Sequence, residues 1–186
     1  ANTYGDLVRG RYPDIPRRVS GYNLNYLLPE NGFHVARALV GSEGTCVTVL
    51  EATVRLVHSP PARTLVVLGY TDIYTACDHI MDILDYKPIG MEGMDNFLVQ
   101  DIRLKGLHPE NLDLLPEGHG WLLAEFGGET KEEADEHARR MMAGMKSKPH
   151  APAMPLYDDP EVEHHVWKTR EYGLGATARV PGKADA

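Results

Sequence analysis

The sequence predicts a mixed α+β fold in which an antiparallel sheet is covered by helices on one face. Short apolar runs of strand length alternate with amphipathic patterns of helical period along much of the chain. A hydrophobic content of 42% over 186 residues is enough to bury a sizeable core. A doubly wound parallel sheet would produce the same alternation, so the pattern alone leaves both arrangements open.

The first third of the chain predicts little regular structure. Residues 1–20 are rich in Arg, Pro and Gly without periodicity, and we expect irregular structure there. A short helix is predicted from Phe33 to Leu39, closed by Gly41. Apolar and polar residues then alternate from Leu50 to Leu56, which predicts a half-buried strand.

Two prolines in segment 58–61 end that strand, and we place a domain boundary there, between residues 1–61 and 62–186. Beyond it, the predicted elements are a strand at 63–70, a helix at 73–84, a strand at 89–92, a helix at 94–104, a strand at 120–126, a helix after Thr130 and a helix from Pro160. Thr130 with Glu133 forms a capping-box pattern, and Asp159 precedes a proline, so both helix starts carry N-terminal signals.

Charge and composition argue against several classes of function. A net charge of −8 disfavours binding to nucleic acid, which depends on basic residues that neutralise phosphates. No apolar run approaches the roughly 20 residues of a membrane-spanning helix, so no transmembrane segment is predicted. Two cysteines provide no disulfide framework, which favours a reducing, cytoplasmic compartment.

A short polar turn with two glycines follows the predicted short helix, and its sequence is Gly41-Ser42-Glu43-Gly44-Thr45. Because glycine has no Cβ, Gly41 and Gly44 can take positive φ and let a ligand approach the main chain closely. A helix that ends at a glycine before a strand has the same spacing, so the turn alone does not identify a ligand.

The segments around this turn resemble those of a known family. Ser20-Gly21-Tyr22-Asn23-Leu24 precedes the turn, and Glu51-Ala52-Thr53-Val54-Arg55-Leu56 follows it. In order and content they resemble the FAD-linked oxidase family of vanillyl-alcohol-oxidase-like flavoproteins, in particular its D-lactate dehydrogenase and glycolate oxidase branch. Three later segments agree with this resemblance: 88–95, 120–128 and 167–171.

The resemblance implies a fold and an activity for the whole protein. It implies that residues 1–61 are the C-terminal part of an FAD-binding domain. Residues 62–186 would be an incomplete substrate domain with a ferredoxin-like antiparallel sheet. The implied reaction oxidises a small 2-hydroxy acid of the lactate or glycolate type with FAD. Electrons would then pass to a separate acceptor, such as an iron–sulfur domain or subunit.

The resemblance also implies that the sequence is an internal fragment. The family's glycine-rich loop for the FAD pyrophosphate and its histidine-bearing catalytic segments find no match here. We therefore expect this chain alone to hold FAD weakly and to lack turnover. A small-molecule-binding or dimerisation module without redox activity is the alternative hypothesis. A flavoprotein that oxidises a different substrate, such as an alcohol or a sugar, is a third.

The implied flavin contacts are Gly41, Ser42, Glu43, Gly44 and Thr45, which match the family's flavin-contacting turn. Their backbone amides and the two hydroxyls would supply hydrogen bonds to the cofactor. The sequence departs from many relatives at Val47, where they have a glycine. Tyr22 and Asn23 match the preceding motif, but no individual role follows for either from the sequence.

Arg170 is the residue of the C-terminal half to which a chemical role is most readily assigned. On the predicted helix it shares a face with Trp167 and Glu163, and a guanidinium suits bidentate binding of a carboxylate. The resemblance implies the same role, because an arginine in the family's Trp-x-x-Arg-Glu pattern holds the substrate carboxylate. The structural alternative is a surface arginine that pairs with Glu163 or Glu171.

Nine histidines raise the question of a metal site, and His164 and His165 with His150 are the nearest to a cluster. Adjacent residues of a helix point about 100° apart, so His164 and His165 do not converge on one ion. The sequence assigns no metal ligand.

Overall fold

The structure is a computed structural model that describes residues 3–15 and 21–178. Its contacts divide the chain into two compact units, Ala1–Val57 and His58–Ala186. None of the helices described is long and apolar enough to cross a membrane.

The regular structure described in the first unit consists of short helices. Helix α1 spans Gly5–Arg11, two 3-10 helices span Leu24–Leu27 and Pro29–Asn31, and helix α2 spans Val35–Leu39. Helix α2 confirms the predicted short helix.

The expectation of irregular structure through residues 1–20 was wrong for α1. Asp6 in its first turn and Arg9 and Arg11 in its last turn complement the helix dipole. Arg9 also pairs with Glu30, with 2.6 Å between Nε and Oε1. Residues 16–20 lie outside the described residues, so that part of the expectation stays a prediction.

The predicted strand from Leu50 to Leu56 was also wrong, because residues 47–60 form neither helix nor strand. The apolar side chains of the alternating pattern are exposed, by 94% at Leu50, 71% at Val54 and 87% at Leu56. A strand needs a neighbour to accept its ladder hydrogen bonds, and none of the described strands pairs with this segment.

The second unit contains all four described strands. Its elements are β1 (Ala62–Tyr70), α3 (Ile73–Asp78), α4 (Ile80–Leu84), β2 (Gly90–Asp95), α5 (Asn96–Lys105), a 3-10 helix (Pro109–Leu114), β3 (Gly120–Gly128), α6 (Lys131–Met145), β4 (Leu156–Tyr157), α7 (Pro160–Glu171) and α8 (Gly173–Ala178). The three predicted strands and four predicted helices are therefore present, although the helix predicted at 73–84 is divided at His79.

Local side chains set the helix starts as the sequence indicated. Helix α6 begins after Thr130, whose side chain accepts a hydrogen bond from the Glu133 amide at 3.3 Å. Helix α7 begins after Asp159, whose Oδ1 accepts from the Glu161 amide at 2.8 Å. Asp95 accepts from the Leu98 amide at 2.8 Å, so β2 extends to Asp95 and α5 starts later than predicted.

The sheet has the order β2-β3-β1-β4, and every neighbouring pair is antiparallel. This decides between the two arrangements that the sequence left open, and it excludes the doubly wound parallel sheet. Strand β4 was not predicted; it pairs with the middle of β1 through only two residues, Leu156 and Tyr157.

Helices cover both faces of the sheet, so the prediction of helices on one face was wrong. One apolar cluster joins β1 and β3 to α3, α4 and α6, and a second joins them to α5, α7 and α8. The physical reason lies in β1, where the consecutive residues Leu65 to Leu68 are all 0% exposed. A strand without polar alternation needs cover on both faces.

Candidate functional site

Helix α7 contacts three neighbouring elements through a stripe of side chains, Glu163, Trp167 and Arg170, which we call the α7 stripe. These residues lie three or four positions apart and therefore share one face of the helix. Their partners are Lys131 at the start of α6, Glu125 on β3 and Glu92 on β2. The stripe fixes the rotation of α7 about its axis and thereby the place of Arg170.

Arg170 pairs with Glu92, a partner that the sequence did not indicate. Its Nε and Nη2 both donate to Oε2 of Glu92, at 3.2 and 3.1 Å. The two expected structural partners are engaged elsewhere: Lys131 pairs with Glu163, and Lys168 pairs with Glu171. The Arg170 side chain remains 46% exposed, so its guanidinium is accessible to a ligand while one of its edges is held.

Glu125 is a buried carboxylate beneath the middle of α7. Its oxygens accept from two side chains: Arg63 Nη1 donates to Oε2 at 2.6 Å, and Trp167 Nε1 donates to Oε1 at 3.2 Å. A buried carboxylate is costly unless it is paired, and these two donors compensate it. Gly90 lies opposite Glu125 in the sheet register, without a side chain that would fill the neighbouring space.

Sequence reasoning missed Glu125 as part of this arrangement. The available signal was a single acidic residue in an otherwise apolar strand, Gly120–Gly128. Such a residue indicates a buried partner, because charged groups are rarely buried alone. Its partners Arg63 and Trp167 are 62 and 42 residues away along the chain, so the sequence could not identify them.

Glu163 occupies the buried end of the α7 stripe. Its carboxylate accepts from Lys131 Nζ at 3.2 Å, and the same ammonium group donates to Thr64 Oγ1 at 2.9 Å and to the main-chain carbonyl of Arg63. Burial raises the pKa of Glu163 above its ordinary value of 4.5, and the Lys131 ammonium opposes that shift. The net direction of the pKa shift is upward.

This shift predicts a pH-dependent stability. The folded state binds the Glu163 proton more tightly than the unfolded state. The contribution of Glu163 to the free energy of unfolding is therefore fully present below pH 4.5 and is lost as the pH rises through the folded-state pKa. Urea unfolding of wild type and of Glu163→Gln, measured from pH 4.5 upward, should show wild type losing stability relative to the variant as the pH rises. A difference that stays flat as the pH rises would contradict the upward shift, and a difference that moves in favour of wild type would mean that the Lys131 pair outweighs burial.

The turn predicted to contact flavin lies in the first unit and has the backbone shape that its glycines allow. Gly41 and Gly44 have φ of 80° and 74°, and Glu43 between them has φ of 49°. Two amides close the turn, since Ser42 N donates to the Leu39 carbonyl at 3.2 Å and Thr45 N donates to the Ser42 carbonyl at 2.9 Å.

Tyr22 and Asn23, for which the sequence gave no role, brace this turn. The Tyr22 hydroxyl lies 2.8 Å from Thr45 Oγ1, and Asn23 Nδ2 donates to the Val40 carbonyl at 2.8 Å. Thr45 Oγ1 also donates to the Ser42 carbonyl at 2.6 Å. The hydroxyl of Thr45 is therefore used in hydrogen bonds that stabilise the turn.

The five residues of the turn differ in what they can offer to a bound flavin. Gly41, Glu43 and Gly44 are exposed, and a Cβ built on Gly44 would meet nothing within 4 Å, so the main chain is open to a planar ligand there. Ser42 is only 6% exposed, and its main-chain carbonyl accepts hydrogen bonds from the amide and the hydroxyl of Thr45. The turn thus exposes its main chain at Gly41, Glu43 and Gly44, whereas Ser42 is buried and the Thr45 hydroxyl is hydrogen-bonded within the turn.

Within residues 3–15 and 21–178, no three His, Cys, Asp or Glu side chains are grouped as metal ligands. The rings of His164 and His165 lie 6.1 Å apart and are tilted by 60°.

Comparison with known proteins places these features in a family. Residues 59–185 match the family described as FAD linked oxidases, C-terminal domain. D-2-hydroxyglutarate dehydrogenase of Pseudomonas putida is 30% identical over 95 residues, which is 50% of this chain and 9% of that protein. The enzyme of the same name from Haemophilus influenzae is 28% identical over 134 residues, or 66% of this chain and 13% of that protein.

A third relative is D-2-hydroxyglutarate dehydrogenase of Pantoea ananatis. It is 21% identical over an alignment of 192 residues, which covers 96% of this chain and 19% of that protein. The chain thus spans between 9% and 19% of the length of these three relatives. The family match confirms the resemblance seen in the motifs, and with it FAD as the cofactor of the family. Because that match covers well over half of its residues, the chain belongs to the FAD-linked oxidases, through their C-terminal domain.

Proposed function

We propose that the protein carrying this chain is an FAD-dependent dehydrogenase of a small 2-hydroxy acid, and that Arg170 holds the substrate carboxylate. The observation that carries the proposal is the Arg170 guanidinium, half-exposed at the end of the α7 stripe and held along one edge by Glu92. A planar guanidinium with free donors is the side chain best suited to a carboxylate. The relatives named for D-2-hydroxyglutarate support a 2-hydroxy acid as the substrate class.

Arg170 contributes binding and orientation to the reaction. A bidentate pair with the substrate carboxylate fixes two atoms of the acid and so limits rotation of the adjacent carbon, which carries the hydroxyl and the hydrogen to be removed. The oxidation removes that hydrogen as a hydride and the hydroxyl hydrogen as a proton. FAD, when bound, supplies the acceptor for the hydride, and a general base of the full-length protein takes the proton. The proposed acceptor of the electrons after the flavin is a separate domain or subunit.

The two units have separate places in this proposal. Residues 1–61 form the C-terminal part of the FAD-binding domain, and the turn Gly41–Thr45 contacts the flavin through the exposed main chain of Gly41, Glu43 and Gly44. Residues 62–186 form the substrate domain. Its sheet order β2-β3-β1-β4, with helices between successive strands, supports a ferredoxin-like arrangement extended by α5, α7 and α8. A cytoplasmic location remains part of the proposal.

The test is an absorbance spectrum of the full-length protein, recorded before and after anaerobic addition of single 2-hydroxy acids. The panel contains glycolate and both enantiomers of lactate and of 2-hydroxyglutarate. We expect flavin bands that bleach with one D-acid and stay unchanged with its L-enantiomer. A colourless protein, or a flavin that none of the acids reduces, would contradict the proposal and favour a binding module or a different substrate.

A further inference from the structure

We propose that Glu92 is a positioning residue for Arg170. It holds the guanidinium by one edge and leaves the end-on edge free for the substrate carboxylate. This inference rests on the proposed function, because it assigns Glu92 a role in the same carboxylate site. Glu92 lies on β2 within segment 88–95, one of the segments that carry the family resemblance, but the sequence analysis assigned it no role.

The hydrogen bonds of the pair define which part of the guanidinium is occupied. A guanidinium carries five N–H donors in a fixed plane. Nε and one hydrogen of Nη2 form its lateral edge, and both of these nitrogens donate to Glu92 Oε2. Among the residues that the structure describes, Glu92 is the only one with a hydrogen bond to the Arg170 guanidinium.

The remaining donors form a fork that suits a second carboxylate. Nη1 with the other hydrogen of Nη2 makes an end-on pair, and carboxylates bind such pairs through two parallel hydrogen bonds. Because the guanidinium is rigid and planar, fixing its lateral edge also fixes the direction of the end-on edge. One internal carboxylate can thus orient the group that receives another.

Glu92 is itself well placed to act as a support. It lies on β2, opposite Leu123 of the adjacent strand β3, and Leu123 is 0% exposed. A side chain on a paired strand has a more defined origin than one on a loop. The long Arg170 side chain has several rotatable bonds, and without a partner it would sample many rotamers at the helix surface.

A competing role for Glu92 predicts the opposite result. If the substrate carboxylate had to displace Glu92 from Arg170, removal of the Glu92 charge would strengthen substrate binding. Two variants separate these roles. Glu92→Ala removes both the charge and the hydrogen-bond acceptor, whereas Glu92→Gln removes the charge and keeps an oxygen that accepts from Arg170.

The experiment measures kcat and KM for the 2-hydroxy acid in the full-length protein, with Glu136→Ala as the matched control. Glu136 is exposed on α6, and its carboxylate forms no hydrogen bond or ion pair with the described residues. We expect Glu92→Ala to raise KM about tenfold with kcat changed less than about threefold, and Glu92→Gln to stay within about threefold of wild type. Glu136→Ala should match wild type.

A second readout does not depend on turnover. In the 186-residue chain, the Nε–H resonance of Arg170, assigned by its loss in Arg170→Ala, reports the hydrogen bond to Glu92. We expect it to keep its shift in Glu92→Gln and to move to the position of a free arginine in Glu92→Ala. An unmoved resonance in Glu92→Ala would overturn the proposal, whatever the kinetics.

The kinetic outcomes separate this proposal from the one on which it rests. A KM that falls, or stays unchanged, in Glu92→Ala overturns the positioning role. If Arg170→Ala still impairs the reaction in that case, the carboxylate site of the proposed function stands. If Arg170→Ala also leaves KM and kcat unchanged, the proposed function fails, and the role of Glu92 falls with it.

Discussion

Replacing Arg170 by Ala should lower kcat/KM for the 2-hydroxy acid by about 100-fold while the flavin stays bound. The loss of one partner from a hydrogen-bonded charge pair costs about 2–5 kcal/mol, and about 1.4 kcal/mol corresponds to a factor of ten in rate. The lower part of that range applies, because Arg170 is 46% exposed and water screens the charge. Steady-state kinetics of the full-length protein with the acid identified by flavin bleaching would measure this change.

Two further variants test whether the loss of kcat/KM in Arg170→Ala is caused by loss of the paired hydrogen bonds of its guanidinium. Arg170→Lys keeps the charge but cannot form the paired hydrogen bonds, so it should recover only a small part of the activity. Arg140→Ala removes an exposed arginine of α6 that has no described partner, and it should match wild type. Activity of Arg170→Ala equal to that of Arg140→Ala would remove Arg170 from the substrate site.

Replacing Phe126 by Ala should lower the free energy of unfolding of the second unit by about 3–5 kcal/mol. Phe126 lies on β3, is 1% exposed, and belongs to the apolar cluster between the sheet and α3, α4 and α6. Truncation removes most of a buried aromatic ring and leaves a cavity that the surrounding side chains fill only in part. Urea unfolding, monitored by circular dichroism, would measure the change.

Phe97→Ala is the matched control for this prediction. Phe97 lies on α5 and is 68% exposed, so the same truncation there creates no cavity and should change stability by less than about 1 kcal/mol. Equal losses of stability in the two variants would show that the sheet face of β3 is not the core of the second unit.

Local signals explain why most elements of the second unit could be predicted from the sequence. Thr130 and Asp159 cap their own helices, so their effect depends on residues only two or three positions away. The apolar run in β1 has the length and composition of a strand, so it predicts a strand without knowledge of the strands that pair with it. Element type and approximate bounds follow from such neighbours, and the structure shifts them by a few residues.

Long-range pairing explains what the sequence could not supply. The alternating segment 50–56 has the pattern of a strand, but pattern alone does not provide a neighbouring strand. The only sequence feature that indicated helices on both faces of the sheet was the run Leu65 to Leu68, which lacks polar alternation.

The site shows the same limit. The sequence placed Arg170 on a helix beside Trp167, but its partner Glu92 is 78 residues away and could not be read from spacing. The Glu125 contacts are of the same kind, since they join three separate elements. An arginine that suits a substrate carboxylate could be proposed from the motif. The internal carboxylate that holds Arg170, by contrast, could be identified only from the three-dimensional structure.

The most direct test of carboxylate recognition compares a 2-hydroxy acid with its amide as reductants of the flavin. Both molecules carry the same hydroxyl and the same hydrogen at the reacting carbon, but only the acid offers two equivalent oxygens and a negative charge to Arg170. We predict that the anaerobic rate constant for flavin reduction at equal concentration is at least about 100-fold higher for the acid. Equal rates for the acid and the amide would contradict a site built around the Arg170 guanidinium.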